Sequence, residues 1–415
     1  MEKRVNSQFI KEINERRILN LIRSQGIISR IEIAKRTKIS KVAVSEIVSR
    51  LSEAGYILEL GKGHSTSRGG KRPTMIKLNP ANGYVVGIEI HRIRTTVALA
   101  DLESHIIGKS QILYEPGTAM DAVLPSIIEA IDELLQSAKV TPEKLAGIGI
   151  GLPGFIDYLR GELVFADTLR GWQGQPLVSR FARRYHVPVF IENDVNAITI
   201  AEYLMGAGRK YRNLVCIWVG EGIGAGIIVN NELIRGDYGS AGEIGYFELG
   251  HHIVDHSQFS HLCNGQRYFG DVLGEEHFLK VLNNTIREKC PEAPASLDLS
   301  SLPGIVNRDC SDPHCITGIL DEYAGLLGII CTDLIKTINP SLIILTGKLI
   351  DIFPDLIAKT RGVVKLHMSN IPFEPVKMVA GQLREDACLK GVIEIALQLI
   401  FEPLKTTTMN HINLS

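Results

Sequence analysis

Apolar positions in the first eighty residues recur at helical spacing. Ile18, Leu21 and Ile22 share one helical face, and Gly26 follows where that helix must stop. Ser29 can then cap a short second helix carrying Ile33 and Ala34. After a tight turn at Thr37-Lys38-Ile39, Ser40 caps a third helix. In it Val44, Ile47, Val48 and Leu51 form an i, i+3, i+4, i+7 stripe, and the helix ends at Gly55. Residues 56–60 read as a strand and 74–78 as its return. The basic, Gly- and Ser-rich stretch GKGHSTSRGGKRP (61–73) lies between them. Two short helices around a tight turn, followed by a hairpin, predict a winged helix-turn-helix over residues 1–80.

From Tyr84 the pattern changes. β-rich segments (YVVGIEI, then TTVALAD) alternate with helical stretches, the mark of a layered α/β fold. The apolar runs, such as 342–345, are far shorter than the ~20 residues a membrane helix needs, and MEKR at the start precedes no signal-type apolar core, so a cytoplasmic protein is expected.

Composition adds one distinction. The formal net charge is -1, but residues 1–80 carry 17 Lys and Arg against 7 Glu and no Asp, a difference of +10. That end is built to meet an anion, and double-stranded DNA is the expected partner. With Val44, Ile47 and Leu51 facing inward, Lys41, Val42, Ser45 and Ser49 face outward on the third helix and are the candidate base readers. Arg68, Lys71 and Arg72 on the wing have the reach for phosphates or a narrow minor groove. Seven scattered cysteines fit a reducing compartment rather than a disulfide framework.

Four segments punctuate the remainder: GIGIGLPGFID (147–157), ENDVN (192–196), GEGIGAG (220–226) and GEIGY (242–246). A glycine pair at a strand end is by itself turn chemistry. In this order, behind this head, and with KTINPSLIILTG (336–347) following, the segments resemble the ROK family of repressors, uncharacterised reading frames and sugar kinases. The resemblance covers nearly the whole chain. It implies a two-lobed actin-like fold of the ribonuclease H and sugar-kinase type, with a sugar between the lobes. The expected first lobe is 83–195 plus 388–403, and the second is 196–387. A homodimer is also expected.

Sugar-binding residues are carried over from the same motifs. The aspartate of the END motif, the general base in the family's kinases, is Asp194 here, beside Asn193. Glu243 matches a sugar-binding glutamate, and Gly151, Pro153 and Gly154 shape the wall. The phosphate loops depart from the kinase pattern. Where the kinases have an acidic residue followed by two glycines and a threonine, this chain reads GIEIHRIR (87–94), and Glu221 stands in place of a loop threonine. His91 and Arg92 obstruct close backbone approach, and Glu221 repels a triphosphate at about 1–4 kcal/mol. The reading is therefore a DNA-binding regulator that responds to a sugar or sugar phosphate, with no catalytic residue and no cofactor. An active ATP-dependent sugar kinase carrying an added head is the rival, and a docking module for a sugar-transport protein is a third reading.

Family members commonly hold zinc with a histidine in GEIGH and three cysteines. Here Tyr246 replaces the histidine and the following segment offers only Cys263, so no metal is expected. His251, His252, His256, His261 and Cys263 leave open a different site. Asp271 or Glu275 could substitute for a family glutamate lost with the cysteines. Cys310 and Cys315 read as structural or incidental.

Overall fold

A computed structural model of the chain describes residues 2–62, 72–253, 256–263, 265–289, 298–299, 301–302, 314–369 and 376–401. It divides into two compact units. One runs up to Asn193 and resumes at Val392; the other is Asp194–Gly391. These joins fall two residues before and four after the boundaries read from sequence, and the head packs as part of the first unit.

In the head, α1 (Glu2–Gln25), β1 (Ile28–Ser29), α2 (Arg30–Thr37) and α3 (Lys41–Glu53) precede β2 (Ile57–Lys62) and β3 (Thr74–Leu78). Both predicted caps form: Ser29 Oγ accepts from Glu32 N and Ser40 Oγ from Ala43 N, each at 3.2 Å. Lys38, at φ 60°, closes α2 in the left-handed conformation and makes the turn. The stripe of α3 is buried, as are Ile18, Ile22 and Ile33 of the other two helices and Ile28, Ile57, Ile76 and Leu78 of the sheet. That sheet has the order β1-β3-β2, so the two-residue β1, too short to leave a pattern in sequence, pairs with the return strand of the wing.

Beyond the head, the first unit holds β4 (Tyr84–Ile90), β5 (Arg94–Asp101), β6 (Ile106–Leu113), α4 (Met120–Ser137), β7 (Leu145–Leu152), the ribbon β8 (Phe155–Asp157) and β9 (Glu162–Phe165), α5 (Leu177–Tyr185) and β10 (Val189–Asn193). Its sheet has the order β10-β7-β4-β5-β6, with β4, β5 and β6 an antiparallel meander and β7 and β10 added in parallel. The second unit opens with α6 (Asp194–Leu204), then β11 (Leu214–Val219), β12 (Ile223–Val229), β13 (Glu232–Ile234), β14 (Leu342–Thr346) and β15 (Lys377–Ala380). Its order, β13-β12-β11-β14-β15, repeats the same scheme: a meander from the first strand, then two parallel additions. This repeat is the actin-like fold, each half with its own apolar core.

The chain passes between units twice, each time at the helix that follows a last parallel strand. After β10, α6 packs on β11 and β12 of the second unit. After β15, the helix Ala387–Phe401 runs into the first unit from Val392 onward. There Gly149 of β7 meets it so closely that a Cβ would lie 2.3 Å from the Val392 carbonyl oxygen, which makes this glycine a packing residue.

The head is fastened to the first unit by a buried ion pair. Arg23 of α1 donates from Nη2 to Glu394 Oε1 at 2.6 Å and to Ser104 Oγ at 2.8 Å, and from Nε to the Leu102 carbonyl at 2.9 Å. Their side chains are only 13% and 9% exposed, so each charge depends on the other. Arg23→Ala is expected to destabilise the protein by about 3 kcal/mol, because Glu394 is left buried with its main partner gone. Arg23→Met combined with Glu394→Leu is expected to recover most of that loss in denaturant unfolding.

Candidate functional site

The outward face of α3 collects the predicted base readers. Lys41, Val42, Ser45 and Ser49, with Glu46 and Arg50, line one shallow concavity of about 710 Å³. Val42 is 70% exposed, an aliphatic side chain with nothing to bury it in the free protein. It has the chemistry to meet a thymine methyl. Arg72 is exposed just before β3; Arg68 and Lys71 lie outside the described residues. Sequence reasoning passed over Arg30, the first residue of α2, whose guanidinium reaches Ser45 at 3.2 Å and Glu59 at 2.8 Å. A helix-opening arginine gives no local signal of that role.

The motifs expected to bind sugar fall into two groups, one in each unit. In the first, β7 and β10 pair in parallel with Gly151 opposite Glu192 and Leu152 opposite Asn193, so both motifs end at the same sheet edge. The Gly151-Leu152-Pro153-Gly154 turn follows β7. Gly154, at φ +101°, lies where a Cβ would come 2.2 Å from the Phe165 carbonyl oxygen, so only glycine fits. Asn193 Nδ2 donates to the Gly154 carbonyl at 3.2 Å, tying the two motifs together. Beneath them Glu192 is buried and accepts from Tyr158 Oη at 2.6 Å and from Asn193 N at 3.0 Å. Tyr158 was not legible as part of this set.

In the second unit Asp194 opens α6 almost fully buried, its carboxylate accepting from Val195 N at 2.8 Å. Glu243, before the turn Ile244–Tyr246, is close enough to feel it. Burial, then the charge of Asp194, pushes the Glu243 carboxyl up to about 7. Two carboxyls in one poorly solvated place are suited to accept from adjacent hydroxyls.

The phosphate-loop departures are visible too. At the end of β4, His91 Nε2 lies 3.0 Å from Glu89 Oε1, where the kinase pattern has glycines. Glu221 is exposed in the turn between β11 and β12.

The residues at the family's zinc position do not fit that metal. Tyr246 packs edge-on against Tyr268, centroids 6.3 Å apart, and Arg267 stacks over Tyr268 while bonding Glu248 at 2.5 Å. Cys263 is buried, and desolvation with the charge of Glu322 pushes its thiol up to about 11, away from the thiolate a metal requires. His261 Nδ1 faces Glu322 Oε1 at 2.5 Å. Among the described residues no group of three or more His, Cys, Asp and Glu side chains could hold a metal ion. Cys310 and the side chains of His251, His252, His256 and Cys315 lie outside what is described. Asp271 caps its own short helix by accepting from Tyr268 N at 3.1 Å. No described helix is long and apolar enough to cross a membrane.

Comparison with known proteins agrees with both halves. A winged helix-turn-helix DNA-binding model matches residues 11–57, and the ROK family model matches residues 85–399. The xylose repressor of Caldicellulosiruptor bescii is 28% identical over 396 residues, 94% of this chain and 97% of that protein. The DNA-binding transcriptional dual regulator NagC of Escherichia coli is 28% identical over 244 residues, 59% of each chain. Among solved structures, a ROK family transcriptional regulator described as a homologue of the E. coli MLC protein shares the fold at a TM-score of 0.75 and 21% identity, covering 95% of this chain and 98% of that one. A ROK family glucokinase from Streptomyces griseus, in complex with glucose and AMPPNP, matches at 0.61 and 24% identity, covering 76% of this chain and 100% of that one. With a family match across its whole α/β part and a winged helix-turn-helix in front of it, the chain belongs to the ROK family.

Proposed function

We propose that this protein is a sugar-responsive transcriptional repressor of carbohydrate-metabolism genes. A homodimer binds a palindromic operator in the cytoplasm, and a sugar or sugar phosphate changes its affinity for DNA. The observation that carries the reading is the α3 face: the residues chosen as base readers line one concavity on a helix capped and packed as a recognition helix. Relatives named as repressors, aligned over nearly all of this chain, support it.

For the effector, Asn193, Asp194 and Glu243 accept from ring hydroxyls, and the Gly151, Pro153 and Gly154 turn forms the wall. Asp194 holds a hydroxyl here rather than activating it. Phosphoryl transfer needs backbone amides and hydroxyls close around the transferring group; His91 and Arg92 put side-chain bulk where glycines would allow that approach, and Glu221 adds negative charge. The protein is therefore a sensor and not an enzyme, and it needs neither cofactor nor metal.

Fluorescence anisotropy of upstream duplex DNA, titrated with and without a panel of pentoses, hexoses and their phosphates, is expected to show one sugar shifting affinity by about 5- to 150-fold. Indifference to every sugar would remove the sensing claim. In a coupled ADP assay no turnover is expected; turnover abolished by Asp194→Asn would establish the kinase instead.

The Glu243 carboxyl gives a pH test. Its proton affinity is raised from 4.5 to about 7, so between those values the native state keeps a proton that the unfolded chain releases. Native stability from this group is present at low pH and is lost as pH rises through 7. Glu243→Gln is thus expected to leave stability nearly unchanged at pH 4.5 and to raise it by about 3 kcal/mol at pH 8 in denaturant unfolding. A difference independent of pH would contradict the buried carboxyl pair.

A further inference from the structure

Arg30 stands at the first position of α2, where the positive end of the helix dipole disfavours a cation. Its placement is accounted for by its two partners. Nη2 is held by Glu59 Oε1 of β2 at 2.8 Å, and Nη1 donates to Ser45 Oγ of α3 at 3.2 Å. One guanidinium thus joins α2, the recognition helix and a strand of the wing.

The second bond occupies one of the two lone pairs of Ser45 Oγ and favours its use as a donor. A guanidinium only donates, so Ser45 Oγ receives on a lone pair and its own hydrogen is left to point elsewhere. Among the described residues that hydrogen has no recorded acceptor, in contrast to Thr37, whose hydroxyl bonds the carbonyl four residues back at 2.8 Å. Ser45 also lines the α3 concavity beside Lys41, Val42 and Ser49.

From this geometry we propose that Arg30 is a positioning residue for sequence readout. It fixes Ser45 as a hydrogen-bond donor to an acceptor on the major-groove edge, a purine N7, guanine O6 or thymine O4. Glu59 neutralises Arg30 and keeps it on Ser45 rather than on a phosphate. The inference rests on the DNA-binding reading above.

The test begins with a random duplex library selected on the full-length protein. Recovery of no preferred sequence would defeat the DNA-reading proposal itself, separately from the role of Arg30. On the selected duplex, binding is measured for wild type, Arg30→Met, Arg30→Lys, Ser45→Ala and the Arg30→Met/Ser45→Ala double variant, each shown folded by its thermal transition. At one base pair Arg30→Met and Ser45→Ala are each expected to lose about tenfold in discrimination, and the double variant no more than either. Arg30→Lys, which keeps a donor, is expected to restore part of it. The slope of log affinity against log salt stays at the wild-type value in all four variants. A uniform loss over all sequences with the salt slope reduced by about 1 would make Arg30 a phosphate contact and overturn the proposal, as would additive effects of the two single changes.

Discussion

Two carboxyls, Asp194 and Glu243, are held in surroundings where one alone is costly to charge. Burial and mutual repulsion keep the Glu243 proton on to about pH 7. In the proposed sugar site, hydroxyl donors would replace lost water around these carboxyls and offset the repulsion. In the first unit, Asn193 and the Gly154 turn are tied to each other by a hydrogen bond. Asp194 directly follows Asn193 in the chain, and the first crossing between units falls between them.

The second crossing leads to the head. The helix Ala387–Phe401 leaves the second unit at Gly391 and, three residues beyond the join, carries Glu394, which holds Arg23 of α1. The head is therefore bonded to the same helix that passes between the units, and Asn82 Nδ2, just before β4, adds a second tie by donating to the Ala54 carbonyl at 3.1 Å. Under the sensor proposal, a sugar that moves this helix would bear on the head, which buried charge holds to it. Such coupling needs the effector to favour one arrangement over the other, and its size is limited by that difference.

Local chemistry was readable in advance. Ser29 and Ser40 as caps, Lys38 in the turn and the Val44, Ile47, Val48 and Leu51 stripe all depend on neighbours within a few residues. The sequence alone placed each of them correctly. The glycines of GIGIGLPG were readable only as a group: Gly154 serves the turn near Asn193, whereas Gly149 serves helix packing. Long-range pairs left no trace. Arg23 and Glu394 are 371 positions apart, Tyr158 finds Glu192 across a ribbon and a helix, and Arg30 looks like one more basic residue in a basic head. Nothing in a linear pattern states which distant carboxylate a given cation or hydroxyl will meet.

Because linkage is reciprocal, the strongest test measures the sugar rather than the DNA. The dissociation constant of the effector, determined by calorimetry on the free protein and on the protein saturated with operator duplex, is expected to differ by the same factor by which that sugar changes DNA affinity. Equal sugar affinity in the two states would mean that pocket and recognition helix do not communicate, and the sensor reading would fail.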